Sequence, residues 1–327
     1  MPRLMLQQLV LATLFAIAPV SNALAHCFVG NRFFPATLIV DDPCVADEMS
    51  SPTVSYFRNG DDPSARELDI SGEYSKRITD TFAISVGSTW TRLRPPDAPA
   101  VRGFQNLDSS FKFQYLTDPD RELVMSALLD VEWGHTGSAA VGAGPFTTLT
   151  PTLFLGKGFG ELPDRLQYLK PFATTFQVGY LVPTQSSTTV IDPGTGLLST
   201  TPNPQFLVYG GTLQYSMPYL KSSVMDLQLP EFINHLIPVV EWRLQTQMND
   251  FNDAARTTGT INPGVIWVGN YYQVGVEAIV PVNRASGIGV GAIAQLHIYL
   301  DDIFPTTIGK PLFGSSAPTT GRPPLGN

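Results

Sequence analysis

Arg66-Glu67-Leu68-Asp69-Ile70-Ser71-Gly72-Glu73-Tyr74-Ser75-Lys76-Arg77-Ile78 alternates an apolar register (Leu68, Ile70, Tyr74, Ile78) with a polar one (Glu67, Asp69, Ser71, Glu73, Ser75, Arg77). Successive side chains of a strand point to opposite faces, so the segment presents one apolar and one polar face. A tilted strand needs about nine to eleven residues to cross a bilayer, and this one is long enough.

Working outward, the same unit recurs to Leu300. The strands read as Thr53–Arg58, Arg66–Ile78, Thr81–Arg92, Phe104–Leu116, Leu123–Gly134, Phe146–Gly158, Phe172–Pro183, Gln205–Met217, Leu236–Met248, Thr260–Gly269, Tyr271–Val282 and Ile288–Leu300. The pattern predicts an all-β fold, a transmembrane antiparallel up-and-down barrel of about twelve strands, within a range of about ten to fourteen. Aromatic residues such as Phe82, Trp90, Trp133, Tyr180, Trp242, Trp267 and Tyr272 share the apolar register, as interfacial girdles require.

Connection lengths give an orientation, because outer-membrane barrels have short periplasmic turns and longer external loops. Thr79-Asp80, Thr117–Glu122 and Asn270 are tight and are assigned to the periplasm. Leu93–Gly103, His135–Pro145, Thr184–Pro204 and Asn249–Gly259 are longer and fall outside, and the Thr184–Pro204 stretch is the expected lid or infolded plug. Phe159–Pro171 and Pro218–Asn234 are long yet periplasmic, and short interfacial helices would accommodate their apolar residues.

Charged residues make up only 15% of the chain, below the quarter or so typical of soluble domains. No later window is long and apolar enough for a membrane helix. A net charge of −8 without a Lys/Arg cluster argues against nucleic acid as a partner.

Arg3, the apolar Leu9–Val20 and Ala23-Leu24-Ala25 read as a secretory signal peptide over residues 1–25. Residues 26–52 follow as a Pro- and Asp-rich periplasmic lead-in, 53–304 as the barrel, and 305–327 as a tail expected to be disordered beyond Phe313. Lipid attachment at Cys27 is disfavoured by His26 before it. In an oxidising compartment Cys27 and Cys44 are expected to form a disulfide, contributing about 3 kcal/mol; two unpaired small residues are the alternative.

Taken inward, the polar register lines the lumen with Glu67, Asp69, Glu73, Arg77, Asp108, Lys112, Asp130, Glu132, Glu241, Arg243, Glu277 and His297. Threonines and glutamines fill the gaps, so the interior is expected to be hydrated and not an apolar core. Acids outnumber bases there, which favours cations or neutral solutes over anions, although acid–base pairs bracing the wall would use the same residues.

Catalytic and metal-binding patterns are weak. None of His26, His135, His235 and His297 has a second ligand at metal-binding spacing, so no metal, cofactor or catalytic residue is expected. His135 and Ser138 suggest a rim hydrolase only if the two meet. Gly156-Lys157-Gly158-Phe159-Gly160 lacks the ending of a phosphate loop and reads as a flexible strand exit.

Phe34-Pro35-Ala36-Thr37-Leu38 with Asp41-Asp42-Pro43, Glu73–Arg77, Asp130-Val131-Glu132-Trp133-Gly134 and Gly156–Gly160 resemble proteobacterial outer-membrane proteins similar to the family named for the meta-cleavage pathway of phenol degradation. The resemblance covers roughly residues 30 to 313 and implies a transporter-like barrel. Its motifs are pieces of wall and carry over no binding residue. The expected function is passive passage of a small solute, hydrophobic or aromatic by the family's name, across the cell outer membrane; the alternative is a closed barrel whose surface loops engage a partner or lipid. Expected partners are outer-membrane lipids, the solute, and the outer-membrane assembly machinery, which would read the final strand near Tyr299 or Phe304.

Overall fold

The computed structural model describes residues 27–60, 64–191, 197–249 and 257–314. The expected signal peptide and the tail beyond Phe313, except Gly314, lie outside them.

A hairpin of β1 (Phe28–Val29) and β2 (Arg32–Phe33) precedes the wall. The wall runs β3 (Glu48–Arg58), β4 (Arg66–Thr79), β5 (Phe82–Arg94), β6 (Val101–Phe104), β7 (Leu107–Asp118), β8 (Leu123–Trp133), β9 (Thr148–Gly158) and β10 (Phe172–Pro183). A separate hairpin, β11 (Ser187–Ile191) and β12 (Leu198–Pro202), intervenes before β13 (Phe206–Tyr215), β14 (Leu236–Gln247), β15 (Thr257–Val268), β16 (Tyr272–Pro281) and β17 (Gly291–Tyr299).

Every wall pairing is antiparallel, β17 pairs with β3, and β4 pairs with β5, so the sheet closes on itself without an edge. The pieces β6 and β7 pair with successive halves of β5 and act as one interrupted strand. The result is a closed antiparallel barrel of twelve strands. At the interruption Asn106 turns into the wall, where its amide donates to Glu132 at 2.7 Å and to the Gly144 carbonyl at 3.0 Å.

Two neighbouring strands of one ladder keep their inward residues opposite one another. Pairs such as Glu73↔Gly87, Asp108↔Glu132, Thr175↔Thr212 and Glu241↔Asn262 lie on the lumen face. The opposite face exposes Ile70, Val86, Phe111, Leu129, Leu153, Phe176, Leu213, Val240, Ile261, Val265, Val274 and Val276 on successive strands. No helix among the described residues is long and apolar enough to cross a membrane, and the apolar belt is made by strands.

The end of the barrel with the tight turns is here called the base. Its two long connections carry one-turn helices at Asp164–Leu169, Met217–Tyr219, Leu220–Val224 and Glu231–Asn234. Residues 305–313 strap across the base: Leu312 and Phe313 donate their amides to the carbonyls of Arg77 and Ile78.

Three expectations change. The first wall strand begins at Glu48 and not at Thr53, because Pro52 sits in a bulge between Ser50 and Thr53 that breaks the alternation. The 184–204 loop is not an infolded plug; it forms the exposed β11–β12 hairpin, with residues 192–196 outside the described ones. The segment before β3 is not a lead-in below the barrel, since most of it is buried within the base of the lumen.

Candidate functional site: a lumen closed at its base

The inward face of β14 shows how the lumen is divided. Ile237, Val239 and Glu241 are completely or almost completely buried, whereas Arg243 is exposed and Gln245 partly so. On β4 the same change runs from buried Arg77 to exposed Glu73. On these two strands the inward residues nearest the base touch protein, and solvent is reached partway up.

What fills the base is the chain from Cys27 to Asp47. Phe33 and Leu38 join Ile237, Val239, Ile266, Val268, Ile279, Ile293 and Tyr299 in one buried cluster, and Phe34 packs with Val29, Val124, Ala173 and the two cysteines in another. The expected wholly hydrated interior therefore holds only for the upper lumen. Register from Glu241 places Val239 and Ile237 inward, but it does not show that they face protein and not solvent.

Polar anchors fix this plug. The Glu241 carboxylate accepts the backbone N–H groups of Leu38 at 2.6 Å, Ile39 at 3.1 Å and Val40 at 2.8 Å. Lys112 pairs with Asp41 at 2.7 Å and donates to the Asp42 carbonyl at 2.9 Å. Gln114 accepts the Val45 amide at 3.0 Å, and Gln273 donates to the Ala36 carbonyl. Asp47 accepts from Lys76 and from Arg77, the latter through Nε at 2.7 Å and the backbone amide at 3.0 Å. Cys27 and Cys44 are joined in a disulfide that closes the plug into a loop.

Arg32 pins the lower end. Its fully buried guanidinium meets Glu122 at 3.0 Å, donates to the carbonyls of Lys170 and Pro171, and stacks 3.7 Å above the Tyr219 ring. Burial and the neighbouring Glu122 push the Tyr219 hydroxyl up to about 12, with Arg32 opposing them. Gly158 makes the arrangement possible, because a Cβ there would lie 2.1 Å from Glu122 Oε2 and 2.6 Å from Arg32 Nε. At Gly156 a Cβ would lie 2.8 Å from Pro43 Cγ. The glycines read as a flexible strand exit are thus places where the plug presses against the wall.

The expected lumen residues fall into three tiers. Arg77, Lys112, Glu241, Glu277 and His297 lie at the base, where all five are buried and His297 bonds Ser50 at 2.7 Å and Glu48 at 3.1 Å. Glu73 and Asp108 stand at mid-height on the edge of a cavity. Glu67, Asp69, Asp130, Glu132 and Arg243 occupy the upper wall, with Asp69 accepting from Thr91 at 2.6 Å and Glu132 from Asn106. The alignment by register does not gather them into one cluster.

Sequence reasoning missed Arg32, Asp41, Asp42, Asp47, Glu48 and Glu122. Phe33-Phe34 and Leu38-Ile39-Val40 were the available signal, since apolar runs in an exported lead-in call for burial. Burial pushes the Asp42 carboxyl well above its ordinary range; Lys112 opposes this, and Glu48 and Asp41 add to it.

A cavity of about 260 Å³ lies between plug residues Ala36–Asp42 and strands β3, β4, β5, β7 and β17. His135 and Ser138 share no hydrogen bond among the described residues; Ser138 caps a short helix by accepting the Ala140 amide at 3.3 Å.

No family model matches the chain, and no curated protein is similar to it in sequence. Solved structures that superpose on it include an outer membrane channel from Pseudomonas putida F1, with a TM-score of 0.47 at 10% identity over 82% of this chain and 99% of that one. NanC porin superposes with a TM-score of 0.45 at 10% identity over 76% and 99% of the two chains. The translocator domain of the autotransporter NalP from Neisseria meningitidis gives 0.44 at 8% identity over 77% and 86%. Superpositions this loose carry no argument about function, which rests on the faces and lumen of the chain itself.

Proposed function

We propose that the chain is an outer-membrane barrel that passes a small hydrophilic solute through its lumen, with residues 33–47 as a plug that must shift for passage. The observation that carries this reading is the step on β14 from buried Glu241 to exposed Arg243. A barrel built only as a scaffold has no need of lumen residues open to solvent directly above a separate segment of chain. The continuous outward apolar surface supports the membrane, because soluble monomers rarely expose contiguous apolar patches beyond a few hundred Å².

An aromatic solute is not favoured. The cavity next to the plug is lined by acids, hydroxyls and amides, and His297 is its one ring among the described residues. Uptake into proteoliposomes tests the reading, using Arg243→Cys labelled with a bulky membrane-impermeant thiol reagent. Uptake of small polar solutes that labelling blocks supports it; no uptake, or uptake indifferent to the label, overturns it.

The exposed Ile191, Leu197 and Leu198 of the β11–β12 hairpin favour a second reading, a closed barrel that binds a partner through this loop. Deleting residues 184–204 separates the two, since it abolishes partner binding in the second reading and leaves solute uptake intact in the first.

A further inference from the structure

The cavity beside the plug has a lopsided chemistry. Five carboxyl groups line it, Asp41, Asp42, Glu48, Glu73 and Asp108, with His297 as the one basic side chain in the lining. Glu48 is engaged by His297, and Asp41 by Lys112 from just outside. Among the described residues neither Glu73 nor Asp108 has a Lys, Arg or His nitrogen within 4.0 Å. Acids gathered on a partly desolvated surface repel one another, and a bound cation relieves that repulsion.

A second observation is independent of charge. Gln295 is buried to 7% exposure and lines the same cavity; its Nε2 donates to Thr53 Oγ1 at 3.1 Å, while its Oε1 has no hydrogen-bond partner. A buried amide oxygen left without a donor is costly, and Gln295 is one of the residues that line the cavity. The volume of about 260 Å³ is several times the ~30 Å³ share of one water and lies just below the usual range of ligand pockets. A bare inorganic ion would leave most of that space and its many hydroxyl groups unused.

We propose that this cavity binds a small organic cation, a protonated amine whose N–H groups are taken by Gln295 Oε1 and by the carboxylates of Glu73 and Asp108. The site names the solute class of the channel proposed above and rests on that reading. Seven of its twenty lining residues belong to the plug, so an occupied site spans plug and wall.

Isothermal titration of the purified full-length barrel in detergent tests it with an isosteric series: 1,4-diaminobutane as dication, 1,4-butanediol as neutral analogue, succinate as dianion, and magnesium chloride as inorganic cation. The expected result is saturable diaminobutane binding at least tenfold tighter than the diol, with no succinate binding. Gln295→Leu is expected to weaken it about fivefold, and Glu73→Gln with Asp108→Asn at least tenfold, while both variants keep the strand circular-dichroism spectrum of the parent. Equal binding of diamine and diol, magnesium binding that diamine does not displace, or variants that bind like the parent overturns the proposal. Because titration needs no transport, the outcomes stay separate from those of uptake: a barrel that admits polar solutes but ignores the diamine sinks this site and leaves the channel, and the reverse result does the opposite.

Discussion

Glu241 of the wall accepts the backbone amide of Leu38 at 2.6 Å although the two residues are 203 positions apart. The same carboxylate takes the amides of Ile39 and Val40, so one wall side chain satisfies three consecutive donors of the plug. Hydrogen bonds to a charged group contribute about 1.5–3 kcal/mol each, and the donors would otherwise be buried unpaired. The plug is held from several sides by such long-range contacts, and each one predicts how it lets go.

Arg32→Leu removes the partner of Glu122 and leaves a carboxyl at 7% side-chain exposure without its cation. Breaking a buried pair from one side costs about 3–5 kcal/mol, here at the low end because Gly160 still donates to Glu122 at 3.0 Å. Hydrogen exchange at residues 33–47 is expected to accelerate by a factor of about 100, with β14–β16 unchanged. Gly158→Ala should act in the same direction by forcing the pair apart.

Replacing Cys27 and Cys44 together by serine opens the covalent loop and leaves every wall residue unchanged. The barrel is expected to remain folded, and proteolysis is expected to cut between residues 28 and 46 at a rate at least ten times that of the parent.

Raising the pH is expected to loosen the plug. A carboxyl whose folded pKa is raised contributes stability that is full below its unfolded value of about 4 and is lost as pH climbs through the raised one. Asp42 is such a group, mainly through burial, with Lys112 opposing and Glu48 and Asp41 reinforcing. The open fraction of single channels should therefore rise with pH across that window, and Asp42→Asn should flatten the dependence.

Val276 lies half-exposed on the outward face of β16, and Gln245 lies inward on β14. In lipid vesicles Val276→Arg is expected to lower the free energy of unfolding by about 2–4 kcal/mol if it lies near the bilayer midplane, and Gln245→Arg by less than half of that. Chemical denaturation measures both, and equal costs would argue against a lipid-facing belt.

The wall was legible because its information is local. Arg66–Ile78 already displays two environments in alternate residues, and the observed strand, Arg66–Thr79, differs from it by one position. The strand count survived the long base connections because they do fold into short helices. The start of β3 was hidden by the bulge at Pro52, where two residues fall out of the ladder. The plug was hidden for a different reason: residues 33–47 have no period, and their partners Lys112, Glu241 and Gln273 are named by the closed barrel and not by neighbouring sequence. Lumen membership could be read from register, but which lumen residues face solvent depends on where the plug ends.

Single-channel recording in planar bilayers, comparing the parent with Glu241→Ala, tests most directly whether this plug closes the lumen. The three amides of Leu38, Ile39 and Val40 lose their common acceptor, and a shift of about 1.4 kcal/mol or more corresponds to at least a tenfold change in the open-to-closed ratio. The expected result is a barrel that is mostly closed in the parent and opens at least ten times as often in the variant, with the same conductance once open. Equal open fractions in the two proteins, given a variant that folds and inserts like the parent, would contradict it.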